Sequence, residues 1–193
     1  RTPLTRLRNN ADMALRQTGD PAALRDTLDK VIGEADGLMR IFDALLTIAR
    51  AESGSGPKME TLDVSRVAAD VAELYEAAAE ERGVAFASAI EPGIVVRGNR
   101  ELIAQTLANL LDNGLKYGTL TTAGVAPQLR LVVHRHGPFA RLAVEDRGPG
   151  VPAADRNRVL DRFVRLEASR TLPGSGLGLS LAAAIARLHN DAL

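Results

Sequence analysis

Between positions 24 and 49 the chain carries Leu24, Leu28, Val31, Ala35, Leu38, Phe42, Leu45 and Ala49, stepping by four and three throughout. That spacing puts every one of them on a single helix face, the a/d seam of a coiled coil. Ile32, Met39, Ile41, Leu46 and Ile48 widen the stripe beyond what one partner helix can cover. A shorter stripe, Leu4, Leu7, Ala11, Ala14 and Leu15, precedes it after Arg1-Thr2-Pro3, where Pro3 marks a boundary or a bend. Gly19-Asp20-Pro21 interrupts and restarts the pattern, with Asp20 as N-cap and Pro21 at the first helical position. The expectation is an α-helical hairpin that pairs with a second copy as a homodimeric four-helix bundle. Packing of the hairpin against the remainder of its own chain is the alternative.

The pattern changes at Ser53-Gly-Ser-Gly-Pro57, a short linker, which divides the chain into a hairpin over 1–52, a linker over 53–58 and a second domain over 59–193. In that domain a strand is expected at 59–62. A helix follows, capped by Asp63 or Ser65, carrying Val67, Val71, Leu74 and Ala78 and stopping at Gly83. Residues 84–90 and 94–96 alternate as strands about Glu91-Pro92-Gly93. Asn99 caps a second helix, and 128–134 and 139–145 form a hairpin across His136-Gly137-Pro138. Helices and strands interleave without a regular parallel-crossover rhythm, which predicts an α+β sandwich built on one mixed sheet.

Composition narrows the function. Lys plus Arg and Asp plus Glu are equal at 24 each, so no global basic field points to nucleic acid and a local site must carry the function. The absence of cysteine removes disulfides, thiolate zinc sites and cysteine nucleophiles. No apolar run approaches a membrane span and the residues from Arg1 lack the form of a signal peptide, so the chain is expected to be soluble, with any membrane tie made through segments outside it. Aromatic residues are only 3%, so the core must be built from Leu, Val, Ile and Ala.

Three polar elements stand out. On the Asn99-capped helix, Leu102, Ile103, Thr106, Leu107, Leu110 and Leu111 fall at helical spacing, whereas Asn109, Asn113 and Lys116 share another face, with Tyr117 following. Asparagine is a poor choice for helicity alone. Stacked amide oxygens can ligate a hard cation such as magnesium, Lys116 can meet a phosphate, and Tyr117 can offer a ring face to a base. A solvated polar face is the plain alternative. The second element, Asp146-Arg147-Gly148-Pro149-Gly150, emerges from a strand end; its carboxylate can accept a hydrogen bond from an exocyclic amine, or the segment is an ordinary turn. The third, Pro173-Gly174-Ser175-Gly176-Leu177-Gly178, opens an apolar helix over 179–188 and offers backbone N–H groups to phosphate. It fits neither the P-loop nor the Rossmann pattern. Between the second and third lie Phe163, expected as a packing anchor, Arg162 and Arg165, which can approach phosphates or remain solvated, and a polar stretch at 167–171, a candidate lid.

The order of these elements resembles the sensor histidine kinase family, whose catalytic domain shares its ATP-binding fold with DNA gyrase, heat-shock chaperone and mismatch-repair ATPases. The resemblance implies a dimerisation and phosphotransfer hairpin over 1–52 and an ATP-binding domain over 59–193. It implies ATP and Mg2+ as cofactors. Asn113 is then the main metal ligand, Asn109 its support, Lys116 the phosphate contact and Tyr117 a neighbour of the adenine. Asp146 receives the adenine amine, Gly148 and Gly150 lie near the base, and Gly174, Gly176, Leu177 and Gly178 shape the lid end and the phosphate-side helix start. The implied partner is a response regulator receiver domain, and the implied location is cytoplasmic.

The chain departs from the family in places. Arg1-Thr2-Pro3-Leu4 matches the tail of the phosphoacceptor box, whose histidine and acidic residue fall before Arg1. Either a longer protein carries them or the natural protein has another residue there. Leu193 also falls where the family pattern continues into closing strands. His134, His136 and His189 lie off the hairpin and are expected to be surface or structural. Thr2 matches a polar position that orients water for dephosphorylating a regulator, with helix capping as the alternative. Gly114 and Arg147 stand where relatives often have Ala and Asn. Rival functions are a catalytically silent dimeric scaffold that docks a regulator, or another ATPase of the same superfamily.

Overall fold

The computed structural model describes residues 3–16, 21–52, 57–119, 125–166 and 176–189. The chain divides into two compact units, Arg1–Leu46 and Thr47–Leu193. The first holds helix α1 (Pro3–Arg16) and most of helix α2 (Pro21–Glu52), which spans 32 residues. Helix α1 buries Ala14, and on α2 the hydroxyl of the buried Thr27 donates to Ala23 O at 2.9 Å. Leu28, Ile32, Met39, Phe42 and Leu46, all on the α2 stripe or its margin, are 38 to 66% exposed. Asp20 lies outside the described residues.

The second unit carries β1 (Glu60–Asp63), α3 (Val64–Glu81), β2 (Ala85–Ile90), β3 (Val95–Gly98), α4 (Arg100–Tyr117), β4 (Gln128–His136), β5 (Phe139–Asp146) and α5 (Gly178–Leu188), with two short 3-10 turns at Ala153–Asp155 and Arg158–Leu160. Asp63, not Ser65, caps α3, accepting from Arg66 N at 3.1 Å. Asn99 caps α4 in the same way, accepting from Leu102 N at 3.0 Å.

Among the described residues the expected single mixed sheet is two sheets: β1 pairs antiparallel with β3, and a separate sheet has the order β2-β4-β5, with β2 parallel to β4. The cause lies in the turn between β2 and β3. Ser65, buried at the start of α3, donates from its hydroxyl to Glu91 O at 2.6 Å and accepts from Ile94 N at 3.0 Å. Those bonds hold the turn so that β3 leads away to β1, while β2 stays with β4. On the larger sheet, β4 turns Leu129, Leu131 and Val133 inward, where they meet Val67, Val71, Leu107 and Leu111 of α3 and α4 in one core. Leu74, expected inside, is exposed; the α3 face is set instead by Val71, Ala72, Tyr75 and Ala79.

Helix α4 sits closely on the larger sheet because Gly114 has no side chain. A Cβ there would run into Leu129 Cδ1 and lie 3.5 Å from Val144. The glycine thus lets α4 approach the sheet with Leu129 in this rotamer.

Candidate functional site

The C-terminal half of α4 carries the polar constellation. Asn109 and Asn113 are one turn apart, and both face the start of α5: a Cβ on Gly178 would lie 3.5 Å from Asn113 Nδ2 and 3.8 Å from Asn109 Oδ1. The amide nitrogen of Asn109 is buried and has no hydrogen-bond partner among the described residues. A buried amide left open in this way costs about 1–3 kcal/mol unless something external completes it. Amide oxygen and nitrogen exchange by a half-turn of the side chain, so the same position can present either a donor or a ligating oxygen.

Opposite these amides, α5 begins at Gly178 after Leu177, with no side-chain cap on its first turn; the Ser180 hydroxyl turns back to Leu177 O at 3.0 Å. The leading N–H groups and the positive end of the helix dipole therefore point at the asparagines without a side chain between. The side chain of Leu177 is buried in the core, which fixes where that helix starts.

One turn further along α4, Lys116 Nζ donates to Tyr117 Oη at 3.0 Å and lies 4.7 Å from the ring centre. The ammonium thus sits at the hydroxyl end of the ring, held by the phenol oxygen. Beyond it, the strand end of β5 comes against the end of α4. Gly148 N donates to Asp146 Oδ1 at 2.7 Å, which orients the carboxylate. Gly118 and Gly148 make this crossing possible: a Cβ on Gly118 would fall 2.9 Å from Asp146 Cβ, and one on Gly148 would fall 2.6 Å from Tyr117 O. Gly118 was not singled out from sequence, although its place directly after Tyr117 is the available signal.

The remaining expected residues fare unequally. Gly150 has φ +69, but a Cβ there would meet no atom within 4 Å, so it serves the turn and not a close approach. Arg162 is exposed and Arg165 half-buried. Thr2 and Gly174, with the candidate lid at 167–171, lie outside the described residues. Phe163, expected as a packing anchor, is 59% exposed. Its backbone takes the left-handed conformation, φ +64, because Phe163 N bonds Gly176 O at 3.0 Å and Gly176, itself at φ +73, presses against the Phe163 backbone. Those constraints turn the ring outward.

Sequence reasoning also missed Tyr75. Its hydroxyl donates to Asp112 Oδ1 at 2.8 Å and lies 3.1 Å from Ala108 O, which ties α3 to the side of α4 away from the asparagines. Burial of the phenol, reinforced by its hydrogen bond to Asp112 and that residue's charge, pushes its pKa upward, and Arg82 opposes the shift weakly.

The chain is similar to known proteins along its length. The family model described as histidine kinase-, DNA gyrase B-, and HSP90-like ATPase matches residues 98–193, and that described as the His Kinase A (phospho-acceptor) domain matches residues 1–54. The chain thus joins a phosphoacceptor-type helical region to an ATPase-type α/β domain. The probable sensor histidine kinase TcrY of Mycobacterium tuberculosis is 31% identical over 198 residues, covering 100% of this chain and 40% of the relative. The histidine-protein kinase/phosphatase MprB of Mycolicibacterium smegmatis is 32% identical over 199 residues, covering 100% of this chain and 39% of the relative. Among solved structures, the mycobacterial sensor histidine kinase MprB matches 68% of this chain and 80% of its own at 27% identity, TM-score 0.55. The Acinetobacter baumannii histidine kinase AdeS shares the fold over 97% of this chain and 84% of its own, TM-score 0.68 at 20% identity. The chain belongs to the sensor histidine kinase family. It spans about two fifths of the length of the curated relatives it matches, given their 40% and 39% coverage.

Proposed function

We propose that the chain is the catalytic core of a two-component sensor histidine kinase, binding Mg-ATP on the C-terminal half of α4 and transferring the γ-phosphoryl group to a histidine upstream of Arg1, for relay to a response regulator aspartate. The observation that carries the reading is the buried, unpartnered amide of Asn109 beside Asn113 and the uncapped start of α5. Two amides able to present oxygen, facing bare N–H groups, suit a divalent cation bridging a polyphosphate.

Asn113 and Asn109 would hold the metal, and Gly176 and Gly178 would let the first turn of α5 approach phosphate. Lys116 would leave the Tyr117 ring for phosphate, Tyr117 would flank the base, and Asp146, held by Gly148, would accept the exocyclic amine. Arg162 and Arg165 would add positive charge at the lid. Bound ATP would supply the phosphoryl group and magnesium its charge neutralisation, while the protein contributes positioning and electrostatics. Residues 1–52 would dimerise through the apolar face of α2 and dock the regulator's receiver domain. Thr2 would orient water for regulator dephosphorylation. No described helix is long and apolar enough to cross a membrane, which suits a cytoplasmic portion of a sensor.

Calorimetric titration with a non-hydrolysable ATP analogue, with and without magnesium, tests the site. Saturable, magnesium-enhanced binding weakened about 100-fold or more by Asn113→Ala is expected, on the order of 3 kcal/mol for a lost metal ligand. A folded chain that binds no nucleotide would overturn the kinase reading in favour of a scaffold.

A further inference from the structure

The His189 side chain, just past the end of α5, meets two backbone groups whose roles admit no exchange. Asn99 N, a donor only, lies 3.0 Å from His189 Nε2; Ile185 O, an acceptor only, lies 2.8 Å from Nδ1. Both bonds form only when the ring is neutral and its proton is on Nδ1. The Cδ2–Nε2 edge of the ring lies against the end of β3: a Cβ on Gly98 would fall 2.9 Å from His189 Cδ2 and 3.0 Å from Nε2. Asn99 is also the N-cap of α4, holding Leu102 N with its side-chain oxygen.

Helix α5 therefore touches α4 at both of its ends. Its first residue, Gly178, faces Asn109 and Asn113, and its far end is tied by His189 to the residue that starts α4. The eleven residues between span about 16 Å of rigid helix, so a shift at the tie moves the phosphate-facing end with it.

We propose that His189 is a positioning residue for the nucleotide site. In its neutral, Nδ1-protonated form it fixes the register of α5 on α4 and thereby the distance between the first turn of α5 and the two asparagines. The inference rests on the nucleotide-binding reading above. A proton on Nε2 sets two donors against each other and breaks the tie, so acidification loosens the site. The charged residues on the elements that meet there are Lys58, Arg97, Arg100, Glu101, Arg187 and Glu60, which pairs across the strands with Gly98. Arg100 is engaged by Asp70 at 2.6 Å, and both ring nitrogens are taken by backbone, so these charges act on the ring only through space.

The test compares the wild-type chain with His189→Gln and His189→Ala, titrating a non-hydrolysable ATP analogue from neutral to mildly acid pH. Glutamine can offer Asn99 an acceptor and does not titrate. Expected are near-normal affinity at neutral pH for His189→Gln, affinity about tenfold weaker for His189→Ala, and an acid-side loss in the wild type steeper than in His189→Gln by a similar factor. The same pH profile in wild type and His189→Gln would overturn the proposal. Nitrogen-15 spectra of the wild-type ring decide it without nucleotide or mutation: a proton on Nδ1 at neutral pH supports the tie, and one on Nε2 refutes it. A wild type that binds no nucleotide yet shows the Nδ1 proton would instead count against the nucleotide reading, leaving the tie in place without the role proposed for it.

Discussion

Helices α2 and α4 are both amphipathic, yet they resolve their apolar faces in opposite ways. Helix α4 buries Leu107 and Leu111 completely beneath the larger sheet and α3, at 0% exposure each. Helix α2 leaves Phe42 at 62% and Met39 at 66% exposure. The second unit completes its own core and leaves the buried amide of Asn109 without a partner among the described residues. The first unit leaves large apolar side chains of α2 exposed.

The largest test of this contrast is Leu107→Ala, which removes a fully enclosed side chain and should cost about 2–5 kcal/mol. Urea unfolding followed by a probe in the second unit should register that loss; one below about 1 kcal/mol would mean that the core there is looser than its burial suggests. Phe42→Asp comes next. Sedimentation should show self-association weakened by about 2 kcal/mol or more, with nucleotide affinity unchanged. Should the variant instead lose stability at unchanged oligomeric state, the apolar face of α2 is covered within its own chain. The smallest effect is expected at Gly114→Ala. Helix propensity favours alanine by up to about 1 kcal/mol, but overpacking against Leu129 costs about 1–3 kcal/mol, so thermal melting should show a net loss of about 1 kcal/mol. A stabilised variant would show that Leu129 can move aside.

Features set by near neighbours in the chain were legible in advance. Asn99 caps the helix that follows it, Asp63 is one of the two caps expected for α3, the β4–β5 hairpin turns at Gly137-Pro138, and Asp146 stands at a strand end. Features decided by distant contacts were not. That β2 and β3 belong to different sheets depends on Ser65, 26 residues before Glu91. Leu74 was placed on the apolar stripe of α3 by its spacing and Phe163 as an anchor by its residue type, whereas Leu74 is exposed beside the packed Tyr75 and Phe163 is turned out by the clasp with Gly176. The bond between Asn99 and His189 joins residues 90 apart, a separation over which local pattern carries no information. The asparagines of the site could be named because their residue type is locally out of place in a helix; their meeting with Gly178 could be anticipated only through the family resemblance.

The parallel pairing of β2 with β4 has a consequence in time. Ala85 lies opposite Gln128, and all of α4 is strung between those two strands. The β4–β5 hairpin closes over a few residues and should form early, but β2 can add to it only after a long crossover has been gathered in, the slow kind of step in folding. Helix α4 travels in that crossover, so closing the β2–β4 pair also confines the helix that carries Asn109 and Asn113. Nucleotide binding by a newly made chain is therefore expected to lag behind its helix content, and the delay would measure the closure of a single strand pair.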